Sequence, residues 1–166
     1  MIARRIKLKV HISITSVYFF FFMKRGDFVE IKFTVKGEPV GKGRPRFIRT
    51  FTGGRAITPS KTRWYEEDVR CEYYTQCKHR FNDKDMLKMH IDAYFGIPKS
   101  ASKKRMKEML EKKIRPTKKP DADNIIKVIA DALNDVAYYD DKQIVDCSIS
   151  KYYSDEPRVE IIINDI

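Results

Sequence analysis

Seven aspartates and two lysines lie between Asp121 and Asp146 of a 166-residue chain whose formal net charge is +11. Carboxylates crowded in this way repel one another unless a cation sits among them. Mg²⁺ suits such a place. It takes oxygen ligands at about 2.1 Å in near-octahedral geometry and leaves positions for water and phosphate oxygens. A metal held so activates water and stabilises the leaving oxygen of a phosphodiester. A carboxylate-rich site on a polycationic chain therefore points to metal-assisted chemistry on phosphates.

The candidate ligands are Asp121 and Asp123, in Pro120-Asp-Ala-Asp-Asn124, with Asp141 from Tyr139-Asp-Asp141. Asp123 is placed to cap the helix that follows, and a helix N-terminus favours anions. Lys127 stands one turn above Asp123, where it would orient the attacking water or offset charge on the reacting phosphate. If the strand after Asp141 lies beside the helix start, Asp141 completes a cluster with Asp121 and Asp123. The plainer roles are a simple N-cap for Asp123 and, for Lys127, a solvated ion pair worth a few tenths of a kcal/mol.

The cations fall into two runs. Gly41–Arg63 holds seven Lys and Arg and no acid; Lys99–Lys119 holds ten against two Glu. Lys42, Arg44, Arg46, Arg49 and Lys61 in the first run are candidate phosphate contacts, as are Lys103, Lys104 and Arg105 in the second. Glycines in Gly41-Lys-Gly43 would let the backbone approach phosphates closely. The segment is not a Walker A loop, because the spacing and the Lys-Ser/Thr ending are missing. Phe47, Phe51 and Trp64, near the first run, read as core or loop anchors rather than base-stacking residues.

These residues need a scaffold. A 42% hydrophobic content and this length suit one domain with a core. Alternation predicts strands over Phe28–Lys36 and Leu87–Phe95. A helix is expected from Lys61 to about Arg80, with Tyr65, Val69, Tyr73 and Cys77 inward. A basic helix is expected over Ser102–Lys113. A third helix runs from Asp123 to Asn134, with Ile126, Ile129, Ala130 and Leu133 inward. Ile144–Tyr153 and Pro157–Ile163 read as strands forming a hairpin across Ser154–Glu156. Gly41–Arg63 reads as a loop. The class is α/β of the α+β kind: a mixed sheet with helices packed on it.

The three cysteines make no even disulfide set, which predicts reduced thiols and a cytoplasmic protein. Residues 1–22 read as a leader or the product of an upstream start, with Met23 as the working start of a domain over 23–166. The apolar run there is too short for a spanning helix, so no membrane is expected.

With these segments in view, the chain resembles the RusA family of Holliday junction resolvases, endonucleases common in prophages. The resemblance runs from about Phe33 to Ile163. It rests on Gly41-Lys-Gly-Arg-Pro-Arg-Phe47, Thr58-Pro-Ser-Lys-Thr62 with Tyr65-Glu66, Lys119-Pro-Asp-Ala-Asp-Asn-Ile-Ile-Lys127, Asp131-Ala-Leu-Asn134 and Tyr139-Asp-Asp-Lys-Gln-Ile-Val145. Lys151 and Arg158-Val-Glu160 complete it. The family implies a compact α/β homodimer that cuts four-way DNA junctions with Mg²⁺. It places the catalytic acids on Asp121, Asp123 and Asp141 and the essential lysine on Lys127, with Asp140 open as an alternative ligand to Asp141. The leader and the basic stretch Ser102–Lys118 depart from the family pattern. The expected function is resolution of branched DNA in recombination and repair. Two rivals remain, a non-catalytic DNA binder using the same basic surface and a phosphohydrolase acting on nucleotides. The missing phosphate loop speaks against the second.

Overall fold

The computed structural model describes residues 28–50 and 53–166; the leader expected over 1–22 lies outside them. Six strands and three helices follow in the order β1 (Glu30–Lys36), β2 (Arg46–Thr50), β3 (Gly53–Ile57), α1 (Ser60–Gln76), β4 (Leu87–Gly96), α2 (Lys103–Leu110), α3 (Ala122–Leu133), β5 (Ile144–Ser154) and β6 (Arg158–Asp165). A 3₁₀ turn at Asp141–Gln143 leads into β5. The class is α+β, as the alternation and helical periods require.

Four strands form one mixed sheet in the order β1-β6-β4-β5. β6 is antiparallel to both β1 and β4, and β5 is parallel to β4. This corrects the expected β5–β6 hairpin. The two strands are joined by a short link, yet β4 lies between them. Apolar burial decides the order. β4 offers Leu87, Met89, Ile91, Ala93 and Phe95, and β6 offers Val159, Ile161 and Ile163, all buried. Those strands take the two central places, where a face is most fully covered. β5 contributes only Ser154 to the buried set and goes to the edge.

α1 and α3 pack against each other, and α1 also meets β1. The expected α1 stripe of Tyr65, Val69, Tyr73 and Cys77 is buried. Burial pushes the Cys77 thiol up to about 12, so it stays protonated and serves as core. On α3 the expected Ile129, Ala130 and Leu133 are buried, and the inner stripe is wider than expected. Ile125, Val128, Ile129, Ala132 and Leu133 are fully buried, whereas Ile126 packs only at the margin.

The segment expected as a loop contains a free-standing hairpin, β2–β3, separate from the main sheet. The basic stretch after β4 is shorter as a helix than expected. It starts at the Ser102 cap and gives way after Leu110 to a run of turns and bends that docks on β5. There Lys112 and Arg115 lie 4.5 and 4.3 Å from the Tyr152 ring centre, and Arg115 Nε donates to the Lys151 carbonyl. Each such cation–π contact contributes about 0.5–1 kcal/mol at an exposed site. Among the described residues no helix is long and apolar enough to cross a membrane.

Candidate active site

Three segments position the acidic residues: the turn into α3, α3 itself, and the 3₁₀ turn before β5. α3 begins one residue earlier than expected. Asp121 occupies the N-cap position with extended backbone (φ −71°, ψ 154°), and its carboxylate makes no capping hydrogen bond. Asp123 lies in the first turn instead of capping the helix. Both carboxylates are thus exposed at the positive end of the helix dipole, which holds anions there.

Lys151 fixes the approach to Asp121. Its Nζ donates to the carbonyls of Lys118 (2.7 Å) and Pro120 (2.9 Å). Burial pulls this ammonium below the usual lysine range and the Lys118 charge adds to the fall, while Asp121 opposes it. In the sequence Lys151 stands out only as part of a motif, with no signal of this role.

The second acidic segment is held by Gln143, which is buried. Its Nε2 donates to the carbonyls of Asn82 (2.6 Å) and Asp85 (3.2 Å), and its Oε1 accepts from the backbone N–H of Tyr139 (2.9 Å) and Asp140 (3.4 Å). Tyr138, also buried, donates through its hydroxyl to the Ala130 carbonyl of α3 and ties this turn to the helix. Asp140 is spent on local structure: its carboxylate accepts from Lys142 N at 3.0 Å and caps the 3₁₀ turn. Asp141, the next residue, is exposed. Replacing Gln143 with alanine leaves four backbone groups short of a partner and should cost about 2–4 kcal/mol. Urea denaturation checks this; an unchanged midpoint would mean water replaces the amide without loss.

The acidic residues then divide cleanly. Asp131 pairs with Lys42, Asp135 with Arg80, Asp140 with Lys142 and Asp146 with Lys88. Asp121, Asp123 and Asp141 form no salt bridge among the described residues; Asp123 has only the Asn124 amide, at 3.4 Å. Lys127 is exposed and likewise has no carboxylate partner there, so the plain ion-pair role is not what it plays in this structure. Asp121 and Asp123 stand at the start of α3 and Asp141 on the 3₁₀ turn before β5, so the expected three-carboxylate cluster is not assembled in this arrangement. Their donor chemistry, three free carboxylates, fits a hard divalent cation. As the side chains stand, no three His, Cys, Asp or Glu among the described residues are close enough together to hold one.

A groove of about 720 Å³ opens beside Asp121. Gly41, Lys42, Gly43 and Arg44 line one side, Lys61 and Thr62 another, and Lys119, Pro120 and Asn124 the rest. The two glycines have a packing reason that phosphate approach alone does not supply. A Cβ on Gly41 would sit 2.7 Å from Pro120 Cβ, and one on Gly43 would sit 2.9 Å from Thr62 Oγ1. The loop is thus pressed onto the starts of α3 and α1, with Lys42 N donating to the Asn124 carbonyl and Gly43 N to Thr62 Oγ1.

Lys42 turns inward. Its Nζ lies 2.5 Å from Glu66 and 2.6 Å from Asp131, bridging α1 and α3. Burial lowers its pKa, but hydrogen bonds to Asp131 and Glu66 outweigh that and hold it above the usual lysine range. Its charge is matched inside the protein rather than offered to a phosphate. Arg44, Arg46, Arg49 and Lys61 are exposed, as are Lys103, Lys104 and Arg105 on α2, and none has a salt bridge among the described residues. Phe47 and Trp64 are 82% and 70% exposed, so neither anchors the core. Phe51 lies outside the described residues.

Residues 36–164 match the family described as Endodeoxyribonuclease RusA. The chain is also 42% identical over 140 residues to a Bacillus subtilis (strain 168) protein, "Uncharacterized protein YqaN", an alignment that covers 82% of this chain and 96% of the relative.

Proposed function

The chain belongs to the RusA endodeoxyribonuclease family, and on that footing we propose that it is a Mg²⁺-dependent endonuclease that resolves four-way DNA junctions in recombination and repair. The observation that carries this reading is that Asp121, Asp123 and Asp141 are exposed and form no salt bridge among the described residues, with Asp121 lining a groove that Arg44, Lys61 and Lys119 also line. Asp121, Asp123 and Asp141 would hold Mg²⁺, whose contribution when bound is to activate water and offset charge on the leaving oxygen. Asp141 is favoured over Asp140, because Asp140 already caps its own turn. Lys127, one helical turn from Asp123, faces the phosphate that the acids bring in and offsets its growing negative charge. Arg44, Arg46, Arg49 and Lys61 grip the backbone on one side, and Lys103, Lys104 and Arg105 on the other. A junction has two equivalent strands and each chain one acidic trio, so paired cuts imply a two-fold dimer.

The rival is a non-catalytic DNA binder, and the carboxylates standing apart is the fact in its favour. A binder, however, gains nothing from unneutralised acids beside a polyanion. A labelled immobile junction and a linear duplex of the same sequence, each incubated with protein and Mg²⁺, decide between the two. Paired cuts in the junction alone are expected; an uncut junction would sink the reading.

Junction affinity should fall steeply with salt, because each neutralised phosphate releases a condensed counterion. Replacing Lys103, Lys104 and Arg105 with glutamine should flatten the slope of log K against log[salt] by about two to three, near 0.9 for each phosphate left without its cation. Anisotropy titrations across a salt series measure it, and an unchanged slope would place α2 away from DNA.

A further inference from the structure

The hairpin β2–β3 displays an aromatic ring where folding gives no reason to put one. The pairing sets Phe47 opposite Ala56 and Arg49 opposite Gly54, so Phe47 and Arg49 share one face with only a methyl group and a glycine across from them. On a two-stranded ribbon a phenylalanine is ordinarily covered by a cross-strand neighbour. Here the residue is 82% exposed, and no described neighbour covers it. The other face carries Arg46 and Ile48 opposite Ile57 and Arg55. Among the described residues the hairpin is bonded into no other strand. It lies within a run, Gly41–Arg63, of seven cations and no acid. A protein partner with an apolar pocket would have to desolvate these arginines, whereas a polyanion is attracted by them. The partner that combines flat apolar faces with a negative backbone is a nucleic acid with unstacked bases. Exposed aromatics among arginines are the means by which proteins hold such bases, because every base has a π-face.

We propose that Phe47 stacks on a nucleobase face left unstacked at the branch point, while Arg46, Arg49 and Arg55 hold the flanking phosphates. This deepens the junction-nuclease reading and rests on it for the identity of the DNA. It gives the hairpin the task of recognising the branch, leaving hydrolysis to the acids on α3 and the 3₁₀ turn. The stack would supply preference for branched over linear DNA, since a closed duplex offers the ring no free base face.

The test uses the full chain in EDTA, so that no DNA is cut. The probes are an immobile four-way junction with 2-aminopurine at the crossover, a linear duplex with the same substitution, and the single strand. Wild-type protein should raise the crossover fluorescence and bind the junction more tightly than the duplex. Phe47→Ala should lose the fluorescence change and about tenfold in junction affinity, one base stack's worth, with duplex affinity unchanged. Phe47→Leu keeps an apolar side chain on the hairpin but no ring face, and should behave like Phe47→Ala. Phe47→Tyr should behave like wild type. Full fluorescence change in Phe47→Ala, or full function in Phe47→Leu, would overturn stacking. If wild type shows no junction preference and cuts none with Mg²⁺, the junction reading fails separately. The single strand then decides the Phe47 proposal: tenfold weaker binding by Phe47→Ala sustains it, and equal binding ends it.

Discussion

Asparagine at Asp121, Asp123 or Asp141 should abolish junction cleavage, lowering the single-turnover rate by about a thousandfold or more, a loss of several kcal/mol of transition-state stabilisation. The substitution keeps size and hydrogen bonding and removes only the charge. None of the three carboxylates forms a salt bridge among the described residues, and all are exposed, so folding should be untouched. Junction affinity should hold or rise, because an unneutralised anion beside a phosphate backbone opposes binding. The neighbouring Asp140→Asn is the internal control. It weakens a turn cap worth about 1 kcal/mol and should leave the cutting rate near wild type. Single-turnover cleavage with anisotropy on the same samples checks all four variants. An Asp121, Asp123 or Asp141 variant that cuts at the wild-type rate is no ligand. Loss in Asp140→Asn equal to that in Asp141→Asn would move the metal site by one residue.

Lys127→Ala should lower the cleavage rate by about a hundred- to a thousandfold, the usual effect of removing one charge-stabilising group from a reacting centre. Its thermal midpoint should match wild type, because Lys127 is exposed and makes no salt bridge among the described residues. That separates it from Lys42, whose ammonium joins Glu66 and Asp131 across two helices and whose loss would be felt in stability. The pair of measurements, rate and melting midpoint, therefore distinguishes a lysine used on substrate from one used on the protein. A Lys127→Ala enzyme that keeps its full rate would leave this side chain as surface charge only.

What the sequence made legible follows from where apolar residues are periodic. Ile31, Phe33 and Val35, and Leu87 through Phe95, alternate because one face of each strand is buried, and both strands are found where alternation puts them. The α1 stripe is equally plain. β2 and β3 were hidden for the opposite reason: neither face of that hairpin is buried, so no alternation marks it. The pairing of β5 with β4 rather than β6 was also out of reach, because a short link says nothing about which strands the core needs at its centre. Within the candidate site, the sequence shows the types and spacing of Asp121, Asp123, Lys127 and Asp141 but not that Asp141 stands apart from the other two acids. Which aspartate of Asp140 and Asp141 is free was not readable either, since that depends on which carboxylate meets the Lys142 N–H. The inward turn of Lys42 and the outward Phe47 were missed alike. Residue type argued for the reverse of each, and only the packing of Gly41 on Pro120 and the Ala56 partner of Phe47 explain them.

The most direct measurement titrates Mg²⁺ against the single-turnover cleavage rate of a four-way junction, with Mg²⁺ binding to the same protein followed by calorimetry. The two curves should share a midpoint, EDTA should give no cutting, and Asp121→Asn should weaken the binding isotherm and the rate together. Cutting at full rate in EDTA, or an Asp121→Asn protein that loses activity while binding Mg²⁺ as wild type does, would contradict the assignment of these carboxylates to a metal.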